Sequence, residues 1–288
     1  MLGRQTSGSV VCPACGKLVG VGDARCWSCG RPYPGMWGYA GLFRRLGRDL
    51  GFVEIVTGAA VLLYAATLIA APADIGFRGL DFLSPSRPSL IVFGAAGPGP
   101  VLLAGRWWTL LSAGWLHGSL IHILFNVMWI RQLAPATAEI YGPGRMVIVY
   151  TVASVVGFAA SSVIAVFAPD LLRMVMGGGH PQGITVGASA AIFGLLGALV
   201  HAGRRGSSAV ANQAWGYAIL LFAFGLFLPG IDNWAHLGGF AGGWLTALVL
   251  DPRKPERVDH LLAALLCLLL AAAAVVASFV TGQSLVGG

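Results

Sequence analysis

The stretch Gly187-Ala188-Ser189-Ala190-Ala191-Ile192-Phe193-Gly194-Leu195-Leu196-Gly197-Ala198-Leu199-Val200-His201-Ala202-Gly203-Arg204-Arg205 decides how this chain is read. Residues 188–203 carry no charge and stop at an arginine pair, which suits a helix sunk in a hydrocarbon core about 30 Å thick. Its first turn holds a hydroxyl, Ser189, which is costly to bury in a bilayer and hard to explain as packing. A second apolar segment, near 234–250, opens on Asn233-Trp234-Ala235-His236-Leu237-Gly238-Gly239 and holds an imidazole at the corresponding place. From Ser189 to Arg204, and from His236 to Asp251, is about fifteen residues, or about 22 Å of helix at about 1.5 Å per residue. Both segments run in the same direction, so Ser189 and His236 lie at one level. They read as a catalytic pair.

Composition agrees with a membrane setting. Of 288 residues 57% are hydrophobic and only 10% charged, and the mean hydropathy is +0.78, far outside the soluble range. Seven stretches are long and apolar enough to span, near 52–72, 112–132, 146–168, 188–203, 214–230, 234–250 and 260–281. The net charge of +7 could suggest nucleic acid, but the basic residues follow the loops. With a cytoplasmic N-terminus only Arg78, Arg87, Arg106 and Arg173 fall outside, leaving fourteen of the 18 Lys and Arg residues inside, as the positive-inside rule requires. Nucleic acid is thereby excluded, and the C-terminus is expected outside the cytoplasm of a cell membrane. The first thirty residues contain no apolar core of a cleavable signal peptide.

Four of the five cysteines form two C-x-x-C-G knuckles, Cys12-Pro13-Ala14-Cys15-Gly16 and Cys26-Trp27-Ser28-Cys29-Gly30. On the side assigned to the reducing cytoplasm, each knuckle can offer two thiolates from one turn, and four sulfurs complete a tetrahedral Zn²⁺ site. About thirty residues cannot bury a core, so the metal would hold the fold. Iron in place of zinc, or a pair of disulfides, fits the same pattern. Cys267, in the last apolar segment, reads as a small hydrophobe. Between the knuckles and the first span, Trp37, Tyr39 and Phe43 accompany Arg44, Arg45 and Arg48, which suits either a segment against anionic headgroups or a plain linker. Leu90 to Gly105 is apolar but interrupted by Gly94, Gly97, Pro98, Gly99 and Pro100, so it is expected to lie partly sunk in the outer interface.

Close approach of the two site-bearing helices needs small residues. Gly187, Ala188, Ala190, Ala191, Gly194 and Gly197 supply them on one, and Gly238, Gly239, Gly242 and Gly243 on the other. Phe193, one turn after Ser189, either flanks the imidazole or is a core aromatic. Serine needs a base to become a nucleophile, and no carboxylate stands at the depth of His236. A Ser-His dyad is therefore expected, with Asp232, one turn above, as the only candidate third member. Donors for an oxyanion are found in the second span, where His122 and Asn126 share one face and His117 lies nearby. His201 and His260 at inner helix ends, and His180 in an outer loop, read as solvated.

Taken together, His117, His122-Ile123-Leu124-Phe125-Asn126, Gly187-x-Ser189 and His236-x-Gly238-Gly239, in that order over about 112–250, resemble the rhomboid intramembrane serine proteases. The resemblance implies Ser189 as nucleophile, His236 as general base, and His122, Asn126 and the Ser189 backbone amide as oxyanion hole. It also implies a helical bundle whose site faces a water-filled cavity, with the seventh span added after a core of six. Two positions depart from the family pattern. Ala190 stands where glycine is frequent, and is still small enough for close contact. Trp107-Trp108-Thr109 stands where Trp-Arg is frequent, which bears on the first loop.

The expected fold is an all-α polytopic membrane bundle of seven transmembrane helices, six plus one, with a small N-terminal zinc-ribbon-like module. The chain divides into the module (1–34), a juxtamembrane linker (35–51), the six-helix catalytic core (52–258) and the seventh helix with its tail (259–288). The expected activity is endopeptidase cleavage of transmembrane segments of partner proteins, with structural Zn²⁺ in the module and no cofactor in catalysis. A catalytically inactive relative that binds client transmembrane helices would keep the same fold. A seven-span transporter or receptor would show inverted repeats or paired broken helices, and the sequence has none. The module's own partner, if it has one, is unknown.

Overall fold

The computed structural model describes residues 4–13, 15–41, 47, 49–77, 79–167, 183–228 and 230–286. Ala14, Phe43, Arg44, Arg45, Arg48, Arg78, Arg173 and His180, all used above, lie outside the described residues.

The N-terminal part is a two-stranded antiparallel hairpin, β1 (Ser9–Val11) and β2 (Leu18–Gly20), with Val10 opposite Val19. Its miniature core is Val10, Cys12, Val19, Cys26 and Ala40. Five such side chains alone offset little of the backbone entropy of ordering some forty residues.

Helix α1 (Phe52–Ala70) follows, then an irregular stretch carrying α2 (Arg87–Phe93), a π-helical turn (Pro98–Leu103) and α3 (Thr109–Ser112). Ser86 caps α2 by accepting the Ser89 amide, satisfying one of the first-turn donors. Helix α4 (Leu120–Tyr141) starts where Ser119 accepts the amide of His122. It is bent by 93° from the Thr109–Trp115 segment before it. The second apolar stretch is thus not one continuous helix over 112–132. The Ser119 cap and the extended Leu116 split it, and the helix continues past Arg131 and through Pro135 to Gly142, whose φ of +91° ends it. Hydropathy alone detects neither the cap nor the bend.

Helix α5 (Pro143–Phe167) is followed, after the undescribed segment, by α6 (Ser189–Arg205), α7 (Ser208–Phe227), α8 (Asn233–Val249) and α9 (Val258–Val286). Among the described residues four helices are long and apolar enough to cross a membrane, α1, α5, α7 and α9, or five if the bent pair ending in α4 is one span. The two helices with the site are shorter, at 17 residues each. Helix α6 is the centre of the bundle, buried from Ala190 to Gly203. Helices enclosed by protein need not match the thickness of a hydrocarbon core.

Glycine sets how closely the centre packs. On α8, Gly239 and Gly243 face the backbone of α6 at Ala190 and Gly194, while Gly238 and Gly242 face α5 at Val156, Gly157 and Ala160. A Cβ at any of the four would overlap those atoms, so α8 is clamped between α5 and α6 at backbone contact. Ala190 fits this arrangement, its methyl lying against Gly157.

Two buried arginines tie α9 to the remainder at its two ends. Arg106 donates to the carbonyls of Ile91 (3.1 Å) and Ser278 (2.7 Å) and to Thr281 Oγ1 (3.2 Å). Arg145 donates to the carbonyls of Tyr141, Asp251, Lys254 and Pro255 and to His260 Nδ1. Its amide donates to the Glu256 carboxylate.

Candidate active site

The path of the chain into α6 places the serine. Thr185 exchanges two backbone hydrogen bonds with Ala96, and the Gly187 amide donates to the Ala113 carbonyl (3.0 Å). The extended run before α6 is therefore fixed to the interrupted first loop. Gly187 has φ +123°, a conformation side chains rarely adopt, and the space beside it is filled by His122. A Cβ there would sit 2.5 Å from His122 Nε2. Ser189 is the first residue of α6, so the amides of Ser189, Ala190 and Ala191 lack carbonyl partners within the helix. That positive helix end suits developing negative charge.

His236 is on the first turn of α8. Asp232 caps that helix by accepting the Ala235 amide (3.0 Å), and its other oxygen accepts the Ser161 hydroxyl. The imidazole Nε2 lies 3.0 Å from Ser189 Oγ, and Nδ1 lies 3.2 Å from Asn233 Oδ1. The Phe193 ring stacks on the imidazole with centroids 4.3 Å apart and planes 15° from parallel. Asp232 does not reach the imidazole. Its neighbour Asn233 does, a neutral residue whose i, i+3 spacing from His236 puts both on one face.

From α4, His122 accepts the Gly118 amide at Nδ1 (3.2 Å). A neutral ring that accepts at Nδ1 carries its proton on Nε2, the nitrogen beside Gly187. Asn126 Nδ2 donates to the His122 carbonyl (2.9 Å), and its Oδ1 has no partner among the described residues. His117 is 1% exposed, with its ring 5.2 Å from that of His122. The side-chain hydrogen bonds of His122 and Asn126 stay at residues 118–126, so neither is bonded to Ser189 directly. His201 is buried with its ring against Trp244 and is not a solvated histidine, whereas His260 is partly exposed and accepts from Arg145. Cys267 packs against the main core.

Chemically, the arrangement holds an alcohol against a base, a ring stacked on that base, and the unpaired amides of a helix start at the alcohol. That is the equipment of acyl transfer.

The four cysteines of the N-terminal part form a second centre. Their sulfurs all lie within 4.8 Å of one another, with Cys12 Sγ 3.8 Å from Cys29 Sγ and Cys15 Sγ 3.6 Å from Cys26 Sγ. A tetrahedron of sulfurs about 2.3 Å from a metal has edges of about 3.8 Å, so the thiols fit a metal ion. Gly16 and Gly30, at φ +72° and +73°, donate their amides to the Cys12 and Cys26 carbonyls and close two equivalent turns. A cavity of about 830 Å³ lies between this part and the Arg205 end of the bundle, lined among others by Arg31, Glu139, Arg253 and Glu256. It touches none of the residues around Ser189.

Comparison with known proteins adds a family match. Residues 104–253 match the family described as Rhomboid domain. Among curated proteins, the chain is 31% identical over 179 residues to RHOMBOID-like protein 7 of Arabidopsis thaliana, covering 60% of this chain and 52% of that one. It is 31% identical over 193 residues to Rhomboid protease GluP of Bacillus subtilis (strain 168), covering 65% and 35%. It is 31% identical over 157 residues to Putative rhomboid protease YdcA of the same organism, covering 53% and 72%. The chain spans about half the length of the first of these and about a third of the second.

Proposed function

The chain belongs to the rhomboid family and is an integral, multi-pass membrane protein, and on that premise we propose that it is an intramembrane serine endopeptidase acting through Ser189 and His236. The observation that carries this reading is the 3.0 Å approach of His236 Nε2 to Ser189 Oγ, among helices that have no other reason to bury a hydroxyl and an imidazole together.

In this reading His236 Nε2 takes the Ser189 proton as Oγ attacks a peptide carbonyl. The oxyanion is held by the Ser189 amide, His122 Nε2–H and Asn126 Nδ2–H. The tetrahedral intermediate collapses as the imidazolium gives its proton to the leaving amine. Water then repeats the sequence on the acyl-enzyme, reaching it past His117, His122 and Asn126. Gly187 keeps His122 beside the serine, and Phe193 holds the imidazole plane.

The substrates are transmembrane segments of other membrane proteins. A helical peptide bond is shielded by its neighbours, so segments rich in small, helix-destabilising residues are preferred. Six helices, α6 and the five about it, form the catalytic core (52–258), and α9 is a seventh span (259–288). The N-terminus and the basic Arg205 end face the cytoplasm of the cell membrane. The module (1–34), joined by the linker 35–51, is a zinc ribbon whose Cys12, Cys15, Cys26 and Cys29 hold one structural Zn²⁺. The metal has no part in catalysis.

The test is to purify wild type and Ser189→Ala in detergent, treat each with a fluorophosphonate, and follow cleavage of a model transmembrane substrate. Labelling and cleavage by wild type alone are expected. Cleavage that survives in the alanine variant would move the nucleophile elsewhere, and no labelling of folded wild type would favour an inactive binder of client helices.

A further inference from the structure

We infer that Asn233 is a positioning residue for this reaction, holding His236 as the tautomer that can accept the serine proton, and that a bare site at Gly225 on α7 holds Asn233 in turn. The inference rests on the Ser189–His236 reading above.

A neutral imidazole has one N–H and one lone pair. For Nε2 to take the Ser189 proton its lone pair must face Oγ, so the ring hydrogen has to sit on Nδ1 and needs an acceptor there. The carboxylate nearest in sequence, Asp232, is occupied by Ser161 and the Ala235 amide. The Phe193 ring covers a face of the imidazole, and His122, the other titratable side chain close by, is engaged at Nδ1 by Gly118. What faces Nδ1 is Asn233 Oδ1, at 3.2 Å. Asn233 is 0% exposed, so bulk water does not compete for either group.

The amide is itself confined. At Gly225 of α7, an added Cβ would overlap the Asn233 carboxamide, approaching its oxygen, carbon and nitrogen together. Glycine at 225 thus leaves a notch into which the amide fits. The Asn233 Nδ2 donor has no hydrogen-bond partner among the described residues. Turning the amide over would present that donor to Nδ1 and force the imidazole hydrogen onto Nε2, where it would point at Oγ and block activation. The Oδ1-inward orientation is the one compatible with a basic Nε2.

The experiment compares full-length wild type, Ser189→Ala, Asn233→Leu, Asn233→Asp and Gly225→Ala in detergent. It reads the fluorophosphonate labelling rate, kcat and KM on a transmembrane substrate, and Tm. In parallel, ¹⁵N-histidine NMR of wild type reads the His236 tautomer. Asn233→Leu, which keeps the volume but lacks the acceptor, is expected to lower the labelling rate and kcat by about 10²-fold, the scale of general-base assistance, with KM unchanged. Asn233→Asp, which keeps an oxygen there, recovers most of that loss. Gly225→Ala lowers the labelling rate as well, and wild type shows Nδ1–H. A folded Asn233→Leu that labels at the wild-type rate overturns the inference, as does an Nε2–H ring in wild type. The NMR result stands even if a variant fails to fold. Labelling that persists in Ser189→Ala would instead defeat the reading on which this one depends.

Discussion

The guanidinium of Arg106 and the carbonyl of Ser278, 172 residues apart in sequence, are joined by a 2.7 Å hydrogen bond. Around it, Ser112 Oγ meets Ser278 Oγ at 3.2 Å and Phe93 packs on Phe279, while Gly282 lies against the backbone of Val92. The first loop, which also positions Gly187 through Ala113 and Ala96, is therefore keyed to the last helix. The Thr109 departure from the family pattern is set in this context, since the buried arginine of this loop stands three residues earlier.

Arg106→Ala is expected to lower stability by about 2 kcal/mol, from loss of charge-assisted hydrogen bonds in a buried place, and to reduce cleavage by loosening the loop next to Ser189. Truncation after residue 257 should have the same effect on cleavage. Thermal unfolding in detergent and a substrate assay check both; a truncated protein as active as the full chain would count against the coupling.

At the other end of α9, Arg145 donates from its guanidinium to four carbonyls and one imidazole. Arg145→Lys cannot replace a planar five-donor group with three donors on one nitrogen. It should destabilise nearly as much as Arg145→Ala, about 3 kcal/mol, and expose residues 251–257 to limited proteolysis. Full stability of the lysine variant would show that the bonds to the linker contribute little.

Gly243→Ala puts a methyl into the backbone of Gly194. Overpacking of this kind costs about 1–3 kcal/mol, but its greater effect is geometric, because α6 and α8 have to separate and carry Ser189 away from His236. Activity should fall at least tenfold while the protein stays folded below its lowered Tm. The same substitution at Gly58, beside which the space is open, is the control and should change neither quantity.

Metal analysis of the full chain purified under reducing conditions should find about one equivalent of zinc, since one tetrahedral site takes four thiolates. Cys12→Ser with Cys26→Ser should lose the metal and the protease resistance of residues 4–41, yet leave fluorophosphonate labelling intact. Less than half an equivalent of zinc, or iron in its place, would overturn the zinc assignment.

What could be read from sequence follows from physics that acts locally. Polar exceptions in apolar runs pick out Ser189, His236, His122 and Asn126, because burying them needs a reason. Cysteine spacing picks out the cluster near the N-terminus. Glycine spacing on α8 points to close packing, though not to the fact that alternate glycines serve two different partners, α5 and α6. The 93° bend before α4 stayed hidden because a hydropathy window averages over a capped, extended break. The bounds of α6 and α8 lie within two residues of the apolar stretches 188–203 and 234–250, but hydropathy does not show that the chain enters α6 extended and held by Ala96 and Ala113. Asn233 is not distinguished by charge, yet a neutral acceptor one turn before His236 meets the requirement a carboxylate would meet.

The most direct test of the account is to locate the covalent adduct of a fluorophosphonate on the intact protein by peptide mass spectrometry. The account predicts one modified site, Ser189, with the adduct absent when His236 is replaced by alanine and Ser189 is left in place. An adduct on any other residue, or undiminished modification of Ser189 without His236, would contradict it.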